Sequence, residues 1–206
     1  MKLYLVRHAQ TSGNVMGALD TALPGPPLTD LGQTQALALA DGLGEEPIVA
    51  IYASQAIRTQ QTAAPLASRF GLDVQVIDGV KEVDAGDLEG RTDREAILVY
   101  MEAVRQWTQG ELGVAIPGGE TGEQVRSRML DAVGRLRAKH EQADPDGVVV
   151  LVSHGGTIRL SAEWLADNVP PEVANSGLIP NTGIVALDAL PDDGGWHCVS
   201  WAETRL

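Results

Sequence analysis

Arg7 and His8 end the apolar run Leu3-Tyr4-Leu5-Val6 and open onto a small polar loop, Ala9-Gln10-Thr11-Ser12-Gly13-Asn14. A second apolar run ends near Ser54, with Arg58 shortly after it. The strongest run, Val148-Val149-Val150-Leu151-Val152, leads into Ser153-His154-Gly155-Gly156. Short apolar runs bounded by turn formers read as buried strands. Ligands of open α/β sheets sit just beyond the carboxyl ends of such strands, so the three ends would bring two arginines and two histidines to one rim. Guanidinium groups match the oxygens of an oxyanion in bidentate fashion. Arg58 would lie in the first turn of a helix, where unpaired backbone N–H groups and the helix dipole already favour an anion. The glycines after His154 let backbone amides approach a ligand closely. Together these groups describe a pocket for a dianion such as phosphate.

Such a pocket can do more than bind. A neutral imidazole can attack through one nitrogen while an acceptor holds the N–H of the other. Arginines can spread the charge of a phosphoryl group in flight. The leaving alkoxide then needs a proton from a nearby carboxyl. Glu82, Asp84, Asp87 and Glu89 are candidates for that task, and the residues alone favour none of them.

The elements that must position these groups follow from the chain. Residues 15–28 hold Gly17, Pro24, Gly25, Pro26 and Pro27 and read as a loop. Asp30 and Gln33 have the spacing of a capping pair for a helix whose apolar face is Ala36, Leu37, Ala40 and Leu43, closed by Gly44. Residues 48–53 read as a buried strand. Ser54 then reads as the N-cap of a helix with Ile57, Ala63, Ala64, Ala67 and Phe70 as its stripe. Residues 73–77 form a further short strand. Residues 78–118 are rich in glycine around one helix, at about 93–109, that carries Tyr100, Met101, Val104 and Trp107. An excursion of this length is often a lid or specificity segment.

Thr121 and Gln124 form a capping-box pair for the next helix. Its inner face is Val125, Met129, Ala132, Val133 and Leu136, and Arg126, Arg128, Arg135, Arg137 and Lys139 read as a solvated face. After the strongest strand a helix runs through Ile158, Ala162 and Leu165. Pro170, Pro171 and Pro180 break the following loop, and residues 183–187 and 196–201 close the sheet, the latter as an edge strand. His140, on a charged helix surface, and His197, on that edge, read as bystanders, and Cys198 as a small packing residue.

Composition narrows the function classes. A chain of 206 residues is most simply one domain, and 44% hydrophobic with 21% charged residues suits a globular protein. The net charge of −13 opposes binding to nucleic-acid backbones and anionic membranes. A single cysteine allows no internal disulfide and points to a reducing compartment. The opening strand begins at the second or third residue, which is expected to leave no room for a signal peptide. No apolar run reaches the ~20 residues a membrane span needs. The expectation is a cytoplasmic protein whose partner is a small-molecule phosphate ester, with no nucleic acid and no membrane; an edge strand near the C-terminus could support a homodimer.

Five ordered motifs carry a family resemblance. Leu5-Val6-Arg7-His8-Ala9-Gln10-Thr11 with Asn14 resembles the signature of the histidine phosphatase superfamily, in its phosphoglycerate-mutase-like branch. Leu28-Thr29-Asp30-Leu31-Gly32-Gln33, Ile51-Tyr52-Ala53-Ser54 with Arg58-Thr59 and Gln61-Thr62-Ala63, Glu82 with Gly86, Glu89 and Gly90, and Val152-Ser153-His154-Gly155-Gly156 resemble its later segments. The resemblance implies a three-layer α/β/α fold with a mostly parallel central sheet. It also implies one histidine phosphatase domain over residues 1–206, with a lid or specificity insertion at about 78–118.

By the same resemblance His8 is the nucleophile, and Arg7, Arg58 and His154 grip the phosphoryl oxygens with help from Asn14 and the Gly155 backbone. Glu82 protonates the leaving group, and no metal or other cofactor is needed. Gln10 and Ala9 stand where many relatives carry glutamate and glycine, and neither supplies a nucleophile or a clamp. Mutases of this branch typically have a tyrosine three residues after the acid, a paired Arg-Arg for the substrate carboxylate, and Asn after the late His-Gly. Here Ala85 and Gly156 occupy two of those positions and no adjacent arginines occur. The expected function is a metal-independent phosphomonoesterase acting on small phosphorylated metabolites through a phosphohistidine. The alternatives are a cofactor-dependent phosphoglycerate mutase, a catalytically silent phospho-ligand-binding module, or a metal site built from His8, His154 and a carboxylate.

Overall fold

The computed structural model describes residues 1–170, 173, 179–191 and 195–202, and the backbone of 204–205. Strands β1 (Lys2–Arg7), β2 (Ile48–Ala53), β3 (Val74–Val76), β4 (Val148–Ser153), β5 (Ile184–Ala189), β6 (Trp196–Trp201) and β7 (Thr204–Arg205) form one sheet in the order β3-β2-β4-β1-β5-β6-β7. The first four are mutually parallel. β5 and β7 run against their neighbours, so β6 points the same way as β1. The protein is a three-layer α/β/α fold with a mostly parallel sheet.

The layers follow from side-chain alternation along the strands. On β4, Val149 and Leu151 join Leu3, Leu5, Ala50 and Tyr52 on one face. There they meet Met129, Ala132, Val133 and Leu136 of α5 (Gly122–His140) and Ile158 and Ala162 of α6 (Gly155–Leu165). Val148, Val150 and Val152 turn to the other face, against Leu39, Ala40 and Leu43 beside α2 (Asp30–Gly42) and Ala63, Leu66 and Ala67 of α3 (Ile57–Phe70). β4 is buried along its whole length, which is why its sequence is continuously apolar.

Register then sets the site. Arg7 pairs with Ser153 and Ala53 with Val152, so the three neighbouring strands end level with one another. The amides of His8 and Ser54 donate to Ser153 O and Val152 O at 3.0 and 3.2 Å. The residues that follow each strand, His8, Ser54 and His154, are thereby side by side although 46 and 100 positions separate them.

Residues 78–118 build a satellite core around α4 (Arg94–Thr108), where Tyr100, Val104 and Trp107 pack on Val83, Leu88, Ile116, Val125 and Leu160. Asp93 caps α4 by accepting from Ala96 N. Thr121 and Gln124 make the capping box of α5, and its five expected inward residues are buried.

Several local expectations change. The cap of α2 is Thr29 rather than Asp30, and that helix ends at Gly42. Leu37 and Ala64 face solvent, while Leu39 and Leu66 fill the core positions beside them. The expected loop at 15–28 begins inside a short helix, α1 (Ser12–Met16). The solvated face expected of α5 is only partly so. Arg137 lies 5.3 Å over the Trp196 ring and bonds Gly195 O and Leu190 O, and Arg128 bridges Glu120 to the carbonyls of Gly79, Lys81 and Glu82. His140 is buried, with Nε2 2.9 Å from the Tyr52 hydroxyl. β6 is not the edge, because β7 pairs with Ser200 and Trp201. His197 is half exposed, 3.1 Å from Asp167, and Cys198 is fully buried. Pro171 lies outside the described residues.

Candidate active site

A cavity of about 500 Å³ opens above the ends of β1, β2 and β4. Its wall includes Arg7, His8, Asn14, Arg58, Glu82 and Gly155 from the expected set, together with Asp20, Tyr100, Met101, Arg159 and Asn181.

His8 is 5% exposed, and its Nδ1 lies 2.8 Å from Ala9 O. A carbonyl can only accept, so Nδ1 carries the proton and Nε2 keeps a lone pair on the opposite side of the ring. Burial, followed by the neighbouring His154, Arg58 and Arg7, holds this imidazole well below its ordinary 6.5. The backbone that carries the ring is held as well. Asn181 Nδ2 donates to His8 O at 2.9 Å, and Ala9 N donates to Thr62 Oγ1 at 3.0 Å.

His154 stands behind this wall rather than on it. It is fully buried, with its ring centroid 5.3 Å from that of His8. Arg58 Nη2 lies 3.2 Å from its Nδ1, and because a guanidinium can only donate, Nδ1 must be the acceptor. Nε2 therefore bears the proton and gives it to Ser54 Oγ at 2.8 Å. Ser54 in turn donates to Thr59 Oγ1 at 2.9 Å, because the Thr59 hydroxyl is directed at Ala56 O, 2.8 Å away. This chain explains why Ser54 is not the expected helix cap: α3 begins after Ala56, which makes no side-chain cap bond. Burial, then Arg58, Arg128 and Arg7, keeps His154 well below the usual histidine value.

The two arginines present unused donors. Arg58 is 1% exposed and holds Asp20 O at 3.2 Å, and its Nη1 is buried without a partner. Arg7 Nη1 donates to Ile179 O, while its Nε has no partner. Gly155 lies beside it; a Cβ there would stand 3.2 Å from Arg7 Nε, so a side chain would crowd the guanidinium. Asn14 is oriented by the capping box of α1, with Oδ1 accepting from Thr11 N at 3.1 Å and from Asn181 Nδ2 at 3.1 Å. Its own NH2 group is left for the cavity.

Of the four candidate carboxylates only Glu82 reaches the wall. Its oxygens accept from Gly156 N and Thr157 N in the first turn of α6, at 3.1 and 2.9 Å, and from Thr157 Oγ1 and Val83 N. Glu89 is occupied by Thr21 and Ala22, and Asp84 by Lys81 and Gly86. A Cβ at Gly156 would come within 2.9 Å of Glu82 Oε1 and 3.3 Å of the Tyr100 hydroxyl, so a side chain there would press on both groups. Gln10, the departure noted in the signature, accepts from the Thr29 hydroxyl at 2.9 Å and so ties the signature loop to the start of α2.

Sequence reasoning missed Asp20, Asn181 and Arg159. Asp20 is half buried, and burial raises its carboxyl against the opposing pull of Arg58. Nothing local marks the first two, which lie in irregular turns. Arg159 had a signal: it is a cation in the helix that leaves the His154 motif.

The buried histidines make stability pH-dependent with a definite sign. Both pKa values are lowered in the folded protein, so the unfolded chain binds more protons once pH falls below about 6.5. Stability is expected to be flat from these groups above that point. Below it, each histidine removes up to about 1.4 kcal/mol per pH unit until its folded pKa is reached. Urea unfolding at pH 7.5, 6.5 and 5.5 measures this, and a slope that does not flatten in the His154→Asn protein would contradict it.

Comparison with known proteins identifies the family. A model of the histidine phosphatase superfamily (branch 1) matches residues 3–204. The PE-PGRS family protein PE_PGRS11 of Mycobacterium tuberculosis is 38% identical over 95% of this chain, which spans 35% of that protein's length. A metal-independent phosphoserine phosphatase of Arabidopsis thaliana is 32% identical over 98% of this chain and 81% of its own. A mycobacterial glucosyl-3-phosphoglycerate phosphatase solved with VO3 superposes with a TM-score of 0.82 at 31% identity, covering 98% of both chains.

Proposed function

The chain belongs to the histidine phosphatase superfamily and is an enzyme of its phosphatase class, and on that footing we propose that it hydrolyses small phosphate monoesters through a phosphohistidine at His8, without a metal. The observation that carries this reading is the state of His8: a neutral ring with Nδ1–H held by Ala9 O and Nε2 beside guanidinium donors that lack partners. Nε2 attacks phosphorus and forms the P–N bond as the bond to the leaving oxygen breaks. Arg7 Nε, Arg58 Nη1, Asn14 Nδ2 and the Gly155 amide take up the charge of the transferring oxygens. His154 keeps Arg58 aimed at the anion, and it grips a phosphoryl oxygen itself only by taking up a proton on Nδ1 once that guanidinium turns to the phosphoryl group. Glu82 gives a proton to the leaving alkoxide. It then takes one from the water that attacks phosphorus, which breaks the P–N bond and releases inorganic phosphate.

Two guanidiniums beside His8 repel a cation, so a metal held by His8 and His154 is disfavoured on charge grounds. Residues 78–118 are read as the segment that shapes the leaving-group side of one domain. The net charge of −13 and the buried lone cysteine suit a cytoplasmic enzyme that acts on free metabolites. No helix among the described residues is long and apolar enough to cross a membrane.

The test is leaving-group dependence. Glu82→Gln is expected to lower kcat/KM for an alkyl phosphate by about 100- to 10,000-fold. The loss for p-nitrophenyl phosphate, whose leaving group needs no proton, should be far smaller. Equal losses on both esters would remove Glu82 as the acid, and loss of wild-type activity in excess chelator would remove the metal-free reading.

A further inference from the structure

Glu82, the acid of the proposed reaction, sits on a segment with no regular structure of its own. Between β3 and residue 86 the chain forms neither helix nor strand, and among the described residues positions 78–84 make no backbone–backbone hydrogen bond. The carbonyls of a part-buried stretch then need partners from elsewhere. Ser153 Oγ donates to Val80 O at 2.8 Å. The carbonyls of Gly79, Lys81 and Glu82 all accept from one guanidinium, that of Arg128 on α5, at 2.8, 2.8 and 3.2 Å.

That guanidinium is itself fixed. Its Nε and Nη2 donate to Glu120 Oε1 and Oε2 at 2.8 and 3.0 Å, and Glu120 Oε2 also accepts from Asp84 N at 3.0 Å. All the N–H groups of the fork are thereby engaged. The two side chains are 15% and 13% exposed, so the pair is largely shielded from water. It grips the segment on both sides of Glu82, yet neither member lines the cavity. The carboxylate end of Glu82 is set by the amides of Gly156 and Thr157 on α6, and its backbone end by Arg128 on α5.

We propose that Arg128, held by Glu120, is the positioning residue of the general acid: it fixes the peptide from which the Glu82 side chain projects, and so sets the distance from that carboxyl to the leaving oxygen. It touches no substrate atom. This rests on the reading of Glu82 as the proton donor. Proton transfer requires hydrogen-bond reach, and a misplacement of about 1 Å can cost about 100-fold. The nucleophile and the anion cradle stand on other elements, so loss of the clamp acts on protonation of the leaving group and leaves anion binding alone.

Arg128→Met by itself would strand the Glu120 charge. The experiment therefore uses the pair Arg128→Met with Glu120→Gln, which removes the clamp without changing net charge, beside Glu82→Gln and the triple variant. The pair is expected to lower kcat for an alkyl phosphate by about 10- to 100-fold, with KM and calorimetric binding of inorganic phosphate unchanged. Turnover of p-nitrophenyl phosphate should fall much less. Added to Glu82→Gln, the pair should cost no further alkyl phosphate turnover, because the group it positions is already gone. Arg128→Lys, which keeps the charge but not the planar fork, should show the same selectivity between esters at a smaller loss, and it carries the test if the paired variant does not fold. Equal losses on both esters, or a loss that multiplies with that of Glu82→Gln, would assign Arg128 to the fold alone and overturn the proposal. Equal losses on both esters from Glu82→Gln by itself would instead overturn Glu82 as the acid, and the positioning role with it.

Discussion

Replacing His8 by asparagine is expected to lower kcat by about 10,000-fold or more while leaving the protein folded and able to bind inorganic phosphate. The reason lies in what each atom of the ring does. Nδ1–H donates to Ala9 O, 2.8 Å away, and an asparagine amide can restore that bond. Nε2 has no counterpart in asparagine, and it is the atom required to form the bond to phosphorus. The guanidiniums of Arg7 and Arg58 are untouched, so the anion cradle survives. Steady-state rates, phosphate calorimetry and urea unfolding of the one variant separate these roles. A variant that keeps more than a hundredth of wild-type kcat would move the nucleophile elsewhere.

The second large effect concerns Arg58. Arg58→Met should lower kcat by about 1,000-fold or more, since a single arginine at a phosphoryl transition state is worth that much or more. The same change should leave stability in the absence of phosphate unchanged or raised. Arg58 is a buried charge with one donor unpaired, and burial lowers its pKa despite the opposing carboxylates of Asp20, Glu82 and Glu89. A methionine of similar length removes that unfavourable term, although it also frees His154 Nδ1 from its donor. In wild type, phosphate should raise the unfolding midpoint through linkage, and in the variant that increment should largely vanish. Thermal unfolding with and without phosphate, beside kcat, checks both parts. A variant that is less stable without phosphate and still responds to it normally would show that Arg58 serves the fold.

How much of this was legible in the sequence depends on range. The buried strands could be read because Val148 to Val152 is apolar without interruption, and that pattern requires cover on both faces. Once β1, β2 and β4 are placed, Arg7, His8, Arg58 and His154 must gather at their ends. The helices of the sheet faces were legible as periods, but single positions slipped. Leu37 and Ala64 matched the period and face solvent, because the true stripe ran through Leu39 and Leu66.

Partnerships across the fold were not legible. Ser54 has the local look of a cap, yet its oxygen serves His154, 100 positions away. Glu82, Asp84, Asp87 and Glu89 could not be ranked from the residues. What distinguishes Glu82 is the first turn of α6, whose amides meet its carboxylate only in the folded chain. Arg159 escaped because the stripe of Ile158, Ala162 and Leu165 accounts for one side of α6 alone. Leu160 buries another side in the satellite core, which leaves Arg159 facing the cavity. Arg128 and Arg137 show the reverse case, in which charges suited to a solvated face fold back onto backbone carbonyls.

The central claim is that the Nε2 nitrogen of residue 8 bonds to phosphorus during turnover. Rapid denaturation at alkaline pH of enzyme mixed with radiolabelled phosphate ester, followed by peptide mapping, tests it most directly. The account predicts label on the peptide that carries His8, formed within one turnover and absent from His8→Asn. Label on any other residue, or equal labelling of His8→Asn, would contradict it.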